Sequence, residues 1–346
     1  MSIIDRVCNK IRKELYKQRG LKQKKDTQVR WGIIGLGYMA NVFAEALEAS
    51  ECARLVAAAS RDSSKAALFA KKHHVENAYG SYEEMLEKSK GKIDVIYIAT
   101  PQKYHYEHIK MCLEQGYGVL CEKPITSNKT QLEELIELAR TKKVFLMEGM
   151  WMKCLPTYKK AKTWLEEGKI GELQFIQVDL SKEEKNITNK LTHSSQEGGG
   201  VLLDYGIYAL SFPLDFMDKE VKIYGFTRKN RENGIDAEWQ ISLTDEKITA
   251  DISISSLQEG TRKAILVGTK GKIVFEPQFN RTNTIHLLNL DDEILESFCT
   301  KYIFEGFEYE AEEVNRSIEK CCKENECVSL DMSAKALGIV DLLFAG

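Results

Sequence analysis

A lysine stands between a glutamate and a proline in the segment "VLCEKPITSN", directly after a short apolar run. The apolar run predicts a buried strand, and ligand sites in α/β proteins are built where such strands end. The ammonium of Lys123 could bind a reacting oxygen there and stabilise the negative charge that develops on it. Pro124 restricts the backbone and would keep Lys123 in place. Glu122 would orient Lys123 or the ribose of a cofactor, or would have a purely structural role. The alternative for Lys123 is a strand-end side chain that reaches solvent.

A second candidate group is Tyr208, which follows Asp204 by four residues in "GGGVLLDYGIYAL". On a helix this spacing puts the two side chains on one face. A phenol close to an ammonium can serve as a general acid or base. Asp204 could bind a substrate hydroxyl or hold Lys123, and the residues alone do not separate these roles. The alternative for the whole segment is a helix that packs its aromatic rings into a core.

The glycine turn "GLGYMA" lies between a short apolar strand and a helix, and a second strand, "RLVAAAS", arrives within the span of one βαβ unit. Gly35 would allow the tight turn, Gly37 would let the backbone approach a pyrophosphate, and Ala40 would let helix and strand pack closely. The pyrophosphate would bind the free N–H groups of the helix N-terminus, near Tyr38 and Met39. The sequence therefore predicts a dinucleotide site.

The end of the second strand decides which dinucleotide is expected. An acidic residue there holds the ribose hydroxyls of NAD, whereas an arginine accommodates the 2′-phosphate of NADP. The strand runs out into Ser60, Arg61 and Asp62. Because serine can donate a hydrogen bond to a phosphate and arginine can bind it with two N–H groups, NADP is favoured. NAD is the alternative if Asp62 faces the ribose.

Composition and charge limit the class of protein. The chain has 346 residues, more than one hydrophobic core usually supports, so two domains are expected. A net charge of −3 gives no electrostatic argument for a nucleic-acid partner. The nine cysteines contain no Cys-x-x-Cys pair, so we expect no metal site, and reduced thiols indicate a cytoplasmic protein. The sequence has no apolar run of roughly eighteen residues, so it predicts no membrane span.

Residues 1–28 differ from the rest of the chain. They contain nine Lys or Arg against three Asp or Glu, a charge of +6, which leaves −9 for the remainder. Ile4, Val7, Ile11 and Leu15 recur at helical spacing and predict one apolar stripe on a basic helix. This N-terminal extension would dock on its own chain or on a sister subunit. A membrane-surface anchor is the alternative.

Together with the glycine turn, the segments "ATPQKYHYEH", "GYGVLCEKP" and "GGGVLLDYGIYAL" resemble the glucose-fructose oxidoreductase and inositol dehydrogenase family, written Gfo/Idh/MocA. The resemblance runs from about Val29 to the C-terminus. The ending Asp204-x-Gly206-x-Tyr208 is most similar to the branch of dimeric dihydrodiol dehydrogenases and NADP-dependent xylose dehydrogenases. The segment "EGMWMKCLPTY" is similar to the same branch, except that Lys153 stands where an arginine is usual.

The resemblance implies an α/β protein of two domains. Residues 29–150 would form a Rossmann domain with a doubly wound parallel sheet. Residues 151–346 would form an α/β domain with a large, mostly antiparallel open sheet, and the last helix would return toward the first domain. The sequence agrees, because apolar segments with turn signals between them predict strands: "ELQFIQVDL", "KIYGFT", "AEWQISLT", "ITADISIS", "KAILVGT", "GKIVFEP" and "NTIHLLNL". A partner covering the outer sheet face would give a homodimer or a dimer of dimers.

The resemblance implies an NADP-dependent dehydrogenase or reductase. An NAD-dependent enzyme is the alternative. Hydride would pass between the nicotinamide ring and a secondary alcohol or carbonyl of a sugar, polyol, cyclic diol or dicarbonyl. One alternative is a sugar-to-sugar oxidoreductase with tightly bound cofactor. The other is a catalytically idle dinucleotide sensor that regulates a partner.

The predicted site residues fall into three groups. The catalytic residues are Lys123, Tyr208 and Asp204. Trp151, Asp204 and Tyr208 would contact substrate, although Trp151 could equally be a core side chain. His105 would lie near the nicotinamide ring by resemblance, and no metal ligand is assigned. The predicted cofactor contacts are Gly35, Gly37, Tyr38, Met39, Ala40, Ser60, Arg61, Thr100, Pro101, His105, Glu122 and Lys123.

Overall fold

The computed structural model describes residues 28–184, 199–217 and 220–346. The predicted basic helix of the N-terminal extension therefore lies outside the described residues, as do residues 185–198 and 218–219. The described chain divides into two compact units.

The two units are not continuous in the chain. Unit 1 contains the described residues up to Ile125, together with Leu132–Trp151 and Tyr302–Leu330. Unit 2 contains Thr126–Gln131, Met152–Lys301 and Asp331–Gly346. The chain thus passes from one unit to the other at several points. The predicted domain boundary between residues 150 and 151 lies one residue from one of them, between Trp151 and Met152.

The secondary structure alternates strands and helices in unit 1 and is strand-rich in unit 2. The strands are β1 (Val29–Ile34), β2 (Ala53–Ala59), β3 (Asn77–Tyr79), β4 (Val95–Ile98), β5 (Gly118–Glu122), β6 (Leu146–Gly149), β7 (Leu173–Ser181), β8 (Lys222–Asn230), β9 (Asp236–Thr244), β10 (Thr249–Ser255), β11 (Ala264–Gly268), β12 (Lys272–Phe275), β13 (Thr284–Leu288) and β14 (Ile294–Cys299). The helices are α1 (Tyr38–Ala49), α2 (Ser63–His73), α3 (Tyr82–Lys88), α4 (His105–Glu114), α5 (Lys129–Lys142), α6 (Pro156–Glu166), α7 (Ile207–Leu214), α8 (Phe307–Glu319) and α9 (Leu330–Ala345).

The sheet of unit 1 is the predicted doubly wound parallel sheet. Its strand order is β3-β2-β1-β4-β5-β6, and every pair in it is parallel. The central strands β4 and β5 are buried along their whole length, because helices cover both faces of such a sheet. The carboxyl ends of the strands meet at one edge, where this fold binds its ligands.

The chain returns to unit 1 in Tyr302–Leu330, which includes helix α8. That the last helix returns toward the first domain stays a prediction. Helix α8 packs against α1 and β1, and the indole N–H of Trp31 donates a buried hydrogen bond to Asn315 Oδ1 at 2.9 Å. The last helix, α9, belongs to unit 2, where Asp341 accepts a hydrogen bond from the Lys129 main-chain N–H at 3.0 Å. Long-range pairs of this kind leave no local signal in the sequence.

The sheet of unit 2 has eight strands in the order β14-β13-β12-β11-β7-β10-β9-β8. Only β7 and β10 pair in parallel, and the other neighbours are antiparallel, as predicted. Along β7, Ile176, Val178 and Leu180 are buried, and α7 packs on this face against β7 and β10. Strand β14 was not predicted, because it is an exposed edge strand without an alternating apolar pattern.

Two features are absent from the described ranges. No helix there is both long enough and apolar enough to cross a bilayer. In the same residues, no three His, Cys, Asp or Glu side chains are grouped so that they could hold a metal ion.

Candidate active site

The glycine turn joins β1 to α1 at the carboxyl edge of the parallel sheet. Gly35 has φ of 84°, and a Cβ on it would lie 2.6 Å from the Thr100 main-chain nitrogen, so only glycine fits. A Cβ on Gly37 would meet no described atom within 4 Å, so this side of the turn is open. Ala40 is fully buried, as expected where the helix packs on the strand.

The N-terminus of α1 can accept an anion. Among the described residues, no side chain caps this end of the helix, and its first turn contains no acidic residue. Tyr38 is 75% exposed. Free main-chain N–H groups beside the open Gly37 fit a pyrophosphate. The residues present therefore fit a bound dinucleotide.

The end of β2 separates Asp62 from Arg61. Asp62 is the N-cap of α2, and its Oδ1 atom accepts hydrogen bonds from the Ser64 and Lys65 main-chain N–H groups at 2.9 and 3.2 Å. Arg61 is exposed and lies over the Tyr104 ring, with 5.4 Å between the guanidinium carbon and the ring centroid. The Asp62 carboxylate is thus engaged in capping α2, and the Arg61 guanidinium is the charged group exposed at the end of β2.

Ser60 is buried next to Arg61, 8% exposed, and its hydroxyl accepts a hydrogen bond from the Asp62 main-chain N–H at 3.2 Å. This contact uses a lone pair and leaves the hydroxyl hydrogen for another acceptor. The prediction that Ser60 and Arg61 bind a 2′-phosphate is compatible with these positions.

His105 links two strand-end segments of unit 1. Its Nε2 atom lies 2.8 Å from the carbonyl oxygen of Thr100, and its Nδ1 atom lies 2.9 Å from the carbonyl oxygen of Pro124. Burial lowers the pKa of His105, the two carbonyls oppose this, and the charge of Lys123 adds to the lowering. Both ring nitrogens face main-chain oxygens, so His105 supports the Glu-Lys-Pro turn through the backbone.

Thr100 and Pro101 begin the turn that follows β4. Thr100 is 7% exposed, and its hydroxyl lies 2.9 Å from Nδ1 of His108. Pro101 precedes a 3₁₀ turn, Gln102–Tyr104, that leads into α4. Burial lowers the pKa of His108 to about 4, and the neighbouring His105 and Arg61 contribute to this. His108 is therefore neutral at pH 7 and braces Thr100.

Lys123 lies directly after β5 and is half-buried. Glu122, the last residue of the strand, accepts a hydrogen bond from the hydroxyl of Tyr97. Burial raises the pKa of Glu122, while Tyr97 and Lys123 lower it. The structure thus gives Glu122 a partner within the core of unit 1. Its predicted role in orienting Lys123 or a ribose stays a prediction.

Glu310 of α8 was not singled out in the sequence. It is fully buried, and neither of its carboxyl oxygens has a hydrogen-bond partner among the described residues. Burial raises its pKa well above the ordinary value, and the nearby Glu122 and Glu148 raise it further. Its surroundings in the fold therefore favour the protonated, uncharged form of Glu310. The sequence carries no signal for it, because Glu308, Glu312 and Glu313 of the same helix are also buried glutamates.

We expect Glu310→Gln to remove a pH dependence of stability. The folded chain holds a proton that the unfolded chain releases, so the free energy of unfolding falls as pH rises above about 4.3 and keeps falling until the folded pKa is passed. One such group contributes at most about 1.4 kcal/mol per pH unit. Urea unfolding at several pH values should therefore show the free energy of unfolding of the variant increasing relative to that of the wild type as pH rises. A difference that stays constant with pH would contradict this assignment, and Glu319→Gln at the exposed end of α8 is the control.

Trp151 is 6% exposed and stacks on Phe307, with 4.2 Å between the ring centroids. Its indole N–H has no hydrogen-bond partner among the described residues. These contacts, which lie within unit 1, favour the core alternative over the predicted wall of a substrate pocket.

Asp204 and Tyr208 lie on a helical segment of unit 2. The segment begins with a π-helical turn, Leu202–Gly206, and continues as α7. The prediction of a regular helix is therefore wrong over these five residues. Asp204 is half-buried and Tyr208 is 7% exposed. Single π turns are rare in proteins, and many of those that do occur lie at functional sites.

Lys153 forms a buried ion pair in unit 2 that the sequence did not indicate. Its Nζ atom lies 2.6 Å from Asp215 Oδ1, and the Tyr158 hydroxyl donates to Asp215 Oδ2 at 2.7 Å. Both charged side chains are nearly inaccessible, 5% and 6% exposed. A buried ammonium needs such a partner. The lysine at this position thus serves an internal contact of unit 2.

Comparison with known proteins identifies relatives over most of the chain. A model of the oxidoreductase family with an NAD-binding Rossmann fold, Gfo/Idh/MocA, matches residues 29–150, and a model of the C-terminal domain of the same family matches residues 158–274. A trans-1,2-dihydrobenzene-1,2-diol dehydrogenase from Xenopus laevis is 33% identical over 327 residues, which cover 90% of this chain and 96% of the relative. The human protein of that name is 28% identical and covers 90% and 95%.

Solved structures share the fold. A 3-ketoreductase from Actinomadura kijaniata, crystallised with NADP and TDP-benzene, superimposes with a TM-score of 0.81 at 24% identity, and the match covers 92% of this chain and 98% of the other. An NAD-binding oxidoreductase from Klebsiella pneumoniae gives a TM-score of 0.82 at 20% identity, with 92% and 96% covered.

Proposed function

Because the chain belongs to the Gfo/Idh/MocA family of oxidoreductases, we propose that it is an NADP-dependent dehydrogenase or reductase. The substrate class is a secondary alcohol or the corresponding carbonyl, with cyclic trans-diols first and sugars, polyols and dicarbonyls after them. The name of the Xenopus and human relatives supports the diol. One observation carries the proposal: the same edge of one parallel sheet presents the open glycine turn and Lys123.

Bound NADP supplies the carbon that accepts or gives up the hydride. The main-chain N–H groups at the start of α1 would hold the pyrophosphate, and Arg61 with Ser60 would hold the 2′-phosphate. The choice of NADP over NAD is supported by Asp62, whose carboxylate caps α2. An acidic side chain engaged in this way is not offered to a ribose.

The chain's own residues would handle the proton and the charge on oxygen. Lys123 would donate a hydrogen bond to the reacting oxygen and stabilise its alkoxide character. Tyr208 would take or return the hydroxyl proton as the general base or acid. Asp204 would bind a substrate hydroxyl or support the acid and base groups. His105 would keep the Lys123 turn in place through its contact with the Pro124 carbonyl.

The proposal also includes a homodimer, or a dimer of dimers, formed through the outer face of the sheet in unit 2. An apolar patch on that face supports it. Phe175, Ile265, Val267 and Val274 are half-buried, and they are neighbours in strand register. Single apolar residues are common on protein surfaces, but contiguous patches on a sheet face mark contact sites.

A cytoplasmic location completes the proposal. Within the described ranges, Cys52, Cys112, Cys121, Cys299, Cys321 and Cys322 are free thiols. Unpaired thiols suit a reducing compartment.

A substrate panel tests the proposed function. Cyclic trans-diols, aldoses, polyols and α-dicarbonyls would be offered with NADP(H) and NAD(H), and turnover would be followed at the nicotinamide absorbance band. We expect turnover with NADP(H) and at least one member of the diol or dicarbonyl groups. Cofactor binding without turnover of any substrate would favour the idle sensor instead.

We expect Arg61→Ala to weaken NADP binding by about one to two decades, because a charge-assisted contact is worth roughly 1.5–3 kcal/mol. NAD binding should barely change, since NAD lacks the 2′-phosphate. Titration calorimetry with both dinucleotides measures this. Arg54→Ala is the matched control, because Arg54 lies on β2, the strand that Arg61 follows, but pairs with Glu76. Equal losses for both cofactors, or a wild type that prefers NAD, would overturn the assignment.

A further inference from the structure

Asp236 is a buried carboxylate at the start of β9 and is 3% exposed. Its Oδ2 atom accepts a hydrogen bond from the Leu202 main-chain N–H at 2.9 Å. The same oxygen accepts a second bond from the indole N–H of Trp239 at 2.8 Å. Leu202 is the first residue of the π-helical turn that contains Asp204. Asp236 therefore caps the beginning of this turn from a distant strand.

Gly200 is shaped around the same carboxylate. It has φ of 141°, and a Cβ on it would lie 2.0 Å from Asp236 Oδ1. Its carbonyl oxygen also accepts the Asp204 main-chain N–H at 3.2 Å. The glycine just before the helical segment is thus required by contact with Asp236 as well as by its own backbone conformation.

A π turn needs outside support at its beginning. The first N–H groups of any helix have no acceptor within the helix, and a π turn contains one residue more than the α turn it replaces. Reversion to α geometry would rotate Asp204 relative to Tyr208. A carboxylate at this end is favourable for a helix, because the N-terminus carries partial positive charge. The Leu202 contact therefore favours the conformation in which the turn is found.

We infer that Asp236 is a positioning residue, which holds the π-helical turn through Leu202 and so fixes how Asp204 and Tyr208 are presented to the substrate. The inference rests on the proposed role of Tyr208 in the reaction. Asp236 itself makes no contact with substrate in this account. Its effect should appear in turnover and at Tyr208, and cofactor affinity should be unchanged.

Three variants separate positioning from simple stabilisation. Asp236→Ala removes the acceptor for Leu202, and we expect kcat to fall by about 10²-fold, the effect of a misplacement of roughly 1 Å. Asp236→Asn keeps a carbonyl oxygen and should recover most of the turnover. Trp239→Phe keeps the acceptor for Leu202 but removes the other donor and part of a fully buried ring, so it should lower stability and leave kcat within a few-fold. Losses of kcat that follow stability across all three variants would overturn the inference.

A second readout does not depend on activity. Fluorotyrosine can be incorporated throughout, and the ¹⁹F signal of Tyr208 assigned by its absence in Tyr208→Phe. We expect this signal to shift in Asp236→Ala and in Gly200→Ala, whose added methyl group presses on Asp236, but to keep its position in Trp239→Phe. An unchanged signal in the first two variants would contradict the inference even if the wild type turned over no substrate. Absence of turnover alone would count only against the proposed function.

Discussion

Replacing Lys123 with methionine should lower kcat by roughly 10² to 10⁴-fold, the range for a positioned proton-transfer or charge-stabilising group. Methionine keeps the length of the side chain and most of its apolar stem, so packing around this half-buried position should survive. The lost group is the ammonium, which would bind the oxygen that gains negative charge. NADP affinity should remain close to that of the wild type.

Steady-state kinetics and cofactor titration measure the two effects separately. Lys71→Met is a suitable control, because Lys71 is an exposed lysine of α2 in the same unit. Turnover by Lys123→Met at the wild-type rate would mean that Lys123 is a strand-end lysine reaching solvent. A large loss of NADP affinity would instead assign it to cofactor binding.

Tyr208→Phe should cost turnover in the same range, roughly 10² to 10⁴-fold, because phenylalanine fills the same buried space but cannot carry a proton. If Lys123 and Tyr208 act together on the reacting oxygen, kcat of the double variant should be only a little lower than kcat of the slower single variant. The reason is that each group would then depend on the other to act on the oxygen. Full additivity would indicate independent roles.

Tyr205→Phe is the control for this prediction. Tyr205 lies within the same π turn, and burial raises its pKa, so its phenol is poorly suited to give up a proton. We expect its turnover to stay within a few-fold of the wild type. Normal turnover by Tyr208→Phe would assign that ring to packing and leave Lys123 to act alone.

The sequence predicted the parts of the fold that local patterns determine. The apolar runs predicted the parallel strands of unit 1, and the glycine spacing with its strand and helix predicted the turn at Gly35. Turn signals between apolar segments predicted the strands of the large sheet apart from β14. In each case the pattern is complete within a few tens of residues.

The missed features depend on contacts between distant parts of the chain. Asp215 binds Lys153, Asp236 caps Leu202, and Glu310 lies near Glu122, yet each acidic residue looks like an ordinary polar side chain in the sequence. The return of α8 to unit 1 has the same cause. The π turn also escaped prediction, because its stabilising partner lies on β9.

Transfer of deuterium from labelled NADPH tests the central claim most directly. NADPH with deuterium at C4 of the nicotinamide would be incubated with the protein and the best carbonyl substrate of the panel, and the product analysed by mass spectrometry. Hydride transfer predicts one deuterium on the new carbinol carbon, from one of the two C4 positions. Lys123→Met should form almost no deuterated product in the time that the wild type needs for the reaction. A product without deuterium from both singly labelled forms of NADPH, or no product while NADPH remains bound and unoxidised, would contradict the account.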